Sequence, residues 1–232
     1  MLQLKKSKSI GNNLAEGYMS TIIINGSPKG QNGNSEIFIK HFISGMKSPC
    51  EIRYIITEDH KTLAQYVKDF NTIIFVLPLY IHSMPGVTMR FIEWLEPAEP
   101  SENKSIGFIL QGGFPESNQY KYAERYFASL SKELNRTYLG TAIKGNSAGI
   151  YMMPSFMTKK LFNSLKQLGE IYEQTHSFDK TIIEDFKKPY KLKGFELAKM
   201  KFAAKLGLNK VFWDKFLKEN GAYDKNFDKP FL

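Results

Sequence analysis

Thr21-Ile22-Ile23-Ile24-Asn25-Gly26-Ser27-Pro28-Lys29-Gly30-Gln31-Asn32-Gly33-Asn34-Ser35, followed by Glu36-Ile37-Phe38-Ile39-Lys40-His41-Phe42-Ile43, decides how the rest of the chain is read. Four β-branched residues, Thr21 to Ile24, stop at Asn-Gly and predict a short strand buried on both faces, as in a parallel sheet. A loop of glycines, hydroxyls, amides and one lysine follows. Ser35 can cap a helix whose apolar positions Phe38, Ile39, Phe42, Ile43 and Met46 fall three or four apart. Such a helix aims free backbone N–H groups and the positive end of its dipole back at the loop. An anion is the natural occupant there.

The loop fits neither of two common nucleotide patterns. Lys29 stands before rather than after Gly30, so the Walker spacing fails. Nothing spaces three glycines as a dinucleotide fingerprint requires. What remains is a loop in which Ser27, Lys29, Asn34, Ser35 and backbone N–H groups could wrap a phosphate monoester. The alternative is an ordinary strand-to-helix connection, since Asn-Gly and Ser-Pro mark turns anywhere.

The 232 residues are enough for one ample domain, or one domain with an appendage, and 42% hydrophobic content supports a large core. The longest apolar run, Ile73 to Tyr80, is interrupted by Pro78 and is too short to cross a membrane. Residues 1–8 lack the apolar stretch of a secretory signal, so a cytoplasmic location is expected. The single cysteine, Cys50, excludes an internal disulfide and any all-cysteine metal or iron–sulfur site. Cys50 itself reads as a small buried hydrophobe at the start of a strand rather than a nucleophile.

The net charge of +9 is unevenly placed. Residues 19–186 hold 17 Lys or Arg against 17 Asp or Glu, whereas 187–232 hold 12 lysines against five acids and 1–18 hold three lysines and Glu16. A neutral body with basic ends argues against nucleic-acid binding as the main role.

Along the chain, strands are predicted at Cys50–Ile56, Thr72–Leu77, Ser105–Leu110 and Tyr138–Ile143. Helices are predicted at Leu63–Phe70, Val87–Leu95, Ala123–Leu134 and Met157–Leu168, and Pro97 and Pro100 close the second of these. Five strands alternating with helices imply a parallel, doubly wound α/β sheet with right-handed crossovers. Ligands of such sheets sit beyond the carboxyl ends of the strands, at the switch point. Besides the first loop, that edge carries Pro78-Leu79-Tyr80-Ile81-His82-Ser83-Met84-Pro85-Gly86 and Gln111-Gly112-Gly113-Phe114-Pro115-Glu116-Ser117. Paired glycines admit a flat ligand close to the backbone, and Pro78 with Pro85 stiffens a wall around Tyr80. One phosphate loop and two backbone-rich loops suit a phosphorylated, planar, aromatic ligand.

These three segments, in this order over about residues 20–150, resemble the loops of the NADPH-dependent FMN reductase and NAD(P)H:quinone oxidoreductase family, in the flavodoxin-like fold. The resemblance implies a three-layer sandwich with a five-stranded parallel sheet of order 2-1-3-4-5 and a helical C-terminal extension. It implies FMN as cofactor, with Ser27, Lys29, Asn34 and Ser35 on the phosphate and Pro78, Leu79, Tyr80 and Ile81 along the isoalloxazine. Gln111, Gly112, Gly113 and Phe114 would face the ring from another side. Hydride would pass from NADPH or NADH to the flavin and on to a quinone, free flavin or similar small acceptor. The flavin carries the chemistry, so no protein base is assigned; Tyr80 and His82 are the candidates nearest the ring. Iron–sulfur flavoproteins of the superfamily need a cysteine cluster that this chain lacks.

Glu116 and Asn118 read as caps of the following helix. His41, His60 and His176 fall in no metal-ligand spacing. The expected organisation is a leader at 1–18, an FMN-binding domain at 19–175 and a basic helical extension at 176–232. Helices in that extension, near Phe195–Leu206 and Val211–Asn220, end at Gly207 and Gly221. Phe195, Ala198, Phe202 and Leu206 share one face, with Lys199, Lys201 and Lys205 elsewhere around the turn. The favoured reading is packing on the sheet or on a second subunit of a homodimer, and a membrane surface is the alternative. A basic rim would also attract the phosphates of NADPH. Two rival functions stand beside the enzyme: a flavodoxin-like one-electron carrier without NAD(P)H activity, and an interaction protein of the same fold without flavin.

Overall fold

The computed structural model describes residues 20–229; the expected leader at 1–18 lies outside them. Five strands, β1 Thr21–Asn25, β2 Glu51–Tyr54, β3 Thr72–Pro78, β4 Ser105–Gln111 and β5 Thr137–Lys144, form one sheet of order β2-β1-β3-β4-β5. Every pairing is parallel, in agreement with the expected topology. The connecting helices are α1 Asn34–Ile43, α2 His60–Tyr66, α3 Gly86–Ile92, α4 Lys121–Glu133, α5 Ser155–Thr175 and α6 Lys180–Phe186.

Alternation along the strands sorts the core into two layers. Ile22, Ile24, Ile73, Phe75, Leu77, Ile106, Phe108 and Leu110 face α2, α3 and α4, where Phe91 and Phe127 meet them. Ile23, Ile74, Val76, Ile109 and Ala142 face α1, α5 and α6. Each fully buried Ile or Phe contributes roughly 1.5–3 kcal/mol relative to exposure, so the β-branched runs explain both the strands and their central position. On the first face, Phe108 lies between Phe75 and Phe127, with ring centroids 5.7 and 4.1 Å away.

Three local expectations are corrected. The second strand ends at Tyr54 rather than Ile56, because the Glu58 carboxylate takes the Tyr54 N–H at 3.0 Å and Ile55–Thr57 coil into a 3₁₀ turn. The N-cap of α1 is Gly33, and Ser35 is the second residue of the helix, so its hydroxyl caps nothing. Glu116 precedes a 3₁₀ turn at Ser117–Tyr120 rather than α4, and that turn has no side-chain cap.

α6 was not expected from the sequence. Phe178, Ile182, Ile183 and Phe186 are buried on the sheet, and a Cβ at Gly107 in β4 would lie 3.0 Å from the Phe178 ring. At Gly140 in β5, φ is +115° and a Cβ would press on Ile183. Two strand glycines therefore make the seat for α6. The two compact units divide between Tyr190 and Lys191. The second unit holds α7 Gly194–Lys205 and α8 Leu208–Glu219; Gly207 (φ +74°) and Gly221 (φ +61°) take up the left-handed conformation at the two helix ends, as expected.

α1 and α5 cross at glycines. A Cβ on Gly169 would land on the Phe42 carbonyl oxygen, and one on Gly45 would land on the Lys166 carbonyl oxygen. Gly169→Ala is expected to lower unfolding free energy by roughly 1–3 kcal/mol in urea titrations followed by circular dichroism. Gly86→Ala, with open space around the new Cβ, is the tolerated control.

Candidate functional site

The three loops meet at the carboxyl edge of β1, β3 and β4. In the first, the Asn25 side chain accepts the Ser27 N–H at 3.0 Å and Ser27 Oγ accepts the Lys29 N–H at 3.2 Å, two short turns that fold the loop back on itself. Thr88 on α3 donates to the Gly26 carbonyl at 2.8 Å and anchors the loop from below. Ser27 is 2% exposed, and a Cβ at Gly33 would sit 2.7 Å from its hydroxyl, so only glycine keeps that group clear. Lys29 is exposed.

The Ser35 hydroxyl is the informative group. It is completely buried in the first turn of α1, and no hydrogen-bond partner reaches it. The first backbone N–H groups of α1 have no acceptor within the helix. A buried hydroxyl without a partner is disfavoured by about 1–3 kcal/mol, and an anion at the helix start satisfies it and the free N–H groups together. The donors present fit the phosphate of FMN.

In the second loop Tyr80 and Ser83 exchange two backbone bonds, Tyr80 N–H to Ser83 O at 2.8 Å and Ser83 N–H to Tyr80 O at 3.0 Å. The turn between them puts both Ile81 (φ +47°) and His82 (φ +66°) in the left-handed region. For β-branched Ile81 this is a strained conformation, and the side chain is 88% exposed. Tyr80 is half-exposed, and burial pushes its phenol pKa up, which keeps it a neutral donor. The His82 ring lies parallel to Phe114 at 5.3 Å, and His82 Nδ1 lies 3.2 Å from the Gln119 carbonyl. That carbonyl can only accept, so Nδ1 carries the proton. Pro78 and Leu79 are buried at the strand end, and Leu79 N–H bonds to Gln111 O at 2.8 Å. Both support the loop from the core and offer a ligand little but backbone.

The third loop is tied to a fourth, Gly145–Gly149, that the sequence reading passed over. Ser147 is buried and joins three segments. Its N–H donates to Gly112 O at 2.9 Å, and its hydroxyl donates to Gln111 Oε1 at 3.0 Å. Its carbonyl accepts from Asn34 Nδ2 at 2.8 Å, and Ala148 O accepts from the same nitrogen at 3.1 Å. The Asn34 amide hydrogens thus lace the first loop to the fourth, and the Gln111 side-chain oxygen is likewise engaged inside the protein. Gly112 packs under Tyr120, whose hydroxyl would lie 2.5 Å from a Cβ there, whereas Gly113 has room. Phe114 is half-exposed. Beside the second loop a cavity of about 680 Å3 opens between α3 and α4, with Met84, Met89, Ile92, Tyr122 and Tyr126 on its walls.

A helix-start anion cradle and two aromatic-bearing loops lie at the strand ends of a sheet of flavodoxin-like architecture, where such sheets take their ligands. Residues 19–123 match the family model for NADPH-dependent FMN reductase, which bears out the resemblance carried by the loops. At the family level the cofactor is FMN and the activity is NAD(P)H-dependent flavin oxidoreduction. Solved structures share the fold. The FMN-dependent NADH-azoreductase of Bacillus anthracis in complex with FMN superposes with a TM-score of 0.54 at 15% identity, over 66% of this chain and 99% of that one. The Trp repressor binding protein of Bacillus subtilis gives 0.51 at 16% identity, over 64% and 97% of the two chains. At such identity these likenesses establish the fold alone. No curated protein matches the sequence.

Ser147→Ala strands the buried Gln111 oxygen and is expected to lower stability by about 1–2 kcal/mol in urea denaturation. Tyr120 gives a pH signature. Burial pushes its phenol from 10.0 up to about 12, so the fold favours the neutral form. Its contribution is intact below pH 10 and is lost as pH rises from 10 toward 12. Denaturation midpoints measured across that range should fall, and Tyr120→Phe should flatten the decline.

Proposed function

We propose that the protein is an FMN-dependent NAD(P)H oxidoreductase that passes reducing equivalents to a quinone, a free flavin or a similar small acceptor. The observation that carries this reading is the buried, partnerless Ser35 hydroxyl at the start of α1, within the segment that matches the FMN reductase family. Bound FMN supplies hydride exchange between nicotinamide and acceptor. Ser27, Ser35, Lys29 and the first N–H groups of α1 hold the phosphate, and Asn34 fixes the loop's shape through its tie to Ser147 and Ala148. Tyr80, Ile81, Gly112, Gly113 and Phe114 border the ring. His82 orients Phe114 by stacking, and its protonated Nδ1 is held by Gln119, which leaves Nε2 as the one ring nitrogen able to meet a substrate. The apolar cavity between α3 and α4 is the surface on which a second copy would close and wall the acceptor site.

The test is a visible spectrum after FMN is added and the excess desalted away, followed by anaerobic titration with NADPH and NADH. Retained yellow colour that bleaches in one two-electron step supports the reading. Retained flavin that neither nucleotide reduces favours the electron carrier, and no retained flavin overturns both. Ser35→Ala should weaken FMN binding by about tenfold or more, the loss of one hydrogen bond to a charged group. The FMN-free variant should melt no lower than the parent, because the deleted hydroxyl has no partner to lose.

A further inference from the structure

Glu36 follows Ser35 in the first turn of α1, and its side chain is only 10% exposed. The helix dipole favours a carboxylate at that end, but an exposed one would serve as well. Burying it beside an anion cradle is unfavourable, because the carboxylate loses water and repels the anion. Its contacts supply a reason. Tyr54 at the end of β2 donates its hydroxyl to Glu36 Oε2 at 3.1 Å, and Asn25 Nδ2 at the end of β1 lies 3.4 Å from the same oxygen. Burial first, and then the carboxylate, push the Tyr54 phenol pKa up, which keeps it a neutral donor. Lys40, one turn along α1, stands 3.8 Å from Oε1.

Asn25 is completely buried and shapes the first loop from within. Its Nδ2 faces the Gly30 carbonyl at 3.3 Å as well as Glu36, while its Oδ1 accepts the Ser27 N–H at 3.0 Å. A side-chain amide can turn over and exchange its oxygen for its nitrogen. Here the turned amide would set its oxygen against two acceptors, the Glu36 carboxylate and the Gly30 carbonyl, and would aim its NH2 group at the Ser27 N–H. We propose that Glu36 is a positioning residue for the FMN phosphate: it holds the Asn25 amide in the orientation that folds residues 27–30 as the cradle. The inference rests on the reading that places the phosphate at the start of α1. A role through charge alone is the rival, and its sign is opposite, because deleting a negative charge near the phosphate would tighten binding.

The test compares affinities of the full chain for FMN and for riboflavin, which lacks the phosphate, by quenching of flavin fluorescence; their ratio isolates the phosphate. The parent should prefer FMN by about tenfold or more. A parent without that preference overturns the cradle itself and this inference with it. Glu36→Gln keeps an acceptor for Asn25 and Tyr54 and should hold the preference or raise it. Glu36→Leu removes the acceptor and should lower it by about tenfold. Asn25→Asp sets two carboxylates against each other and should lower it as far. Adding Glu36→Gln to Asn25→Asp, so that the new amide can donate to the new carboxylate, should recover part of the loss, whereas adding Glu36→Leu should not. Melting curves without flavin identify the folded variants, and if Glu36→Leu does not fold, the Asn25→Asp series decides. An unchanged or larger preference in Glu36→Leu leaves the carboxylate a role through charge alone and overturns the proposal while the cradle stands. Equal losses for FMN and riboflavin assign Glu36 to general support of the fold and overturn it likewise.

Discussion

Two-sided burial of the sheet is the constraint on which everything else rests. With β1 at the centre of the early pairings, flanked by β2 and β3, the chain must cross over one face to reach β2 and return over the other to build β3, β4 and β5. The crossovers reverse direction beside β1, and the loops after β1 and β3 therefore diverge instead of packing on each other. In sheets of this kind ligands bind where such loops part. An apolar run such as Ile22-Ile23-Ile24 thus does two things, since it fills both layers and fixes where the opening falls.

Much of this was readable from residues alone because each signal was local. β-branched runs marked β1 and β3, and spacing marked α1 and α4. Sheet order and cofactor came from the likeness of three loops taken together. No single one of them would have sufficed.

What escaped was long-range. Asn34 looks like a ligand for phosphate in a linear reading, but its amide is turned to carbonyls 113 and 114 residues away. Ser147 has no motif to announce it, because its importance lies in the three segments it meets. α6 left a trace only in the strands it covers: Gly107 and Gly140 are odd residues for β4 and β5 until Phe178 and Ile183 are seen in the vacated space. Ser35 resembles a cap in sequence, but Gly33 takes that place and leaves the Ser35 hydroxyl inside the helix start.

The lacing of Asn34 through Ser147 to Gln111 and Gly112 also bears on motion. Loops that hang separately from a sheet edge fluctuate separately, each with its own opening free energy. Here the first and third loops share a buried serine, so the opening of one must break bonds that hold the other. Amide hydrogens in Gly26–Ser35, Gln111–Phe114 and Gly145–Gly149 would then exchange with solvent as one cooperative block, and whatever steadies one end of the block steadies the other.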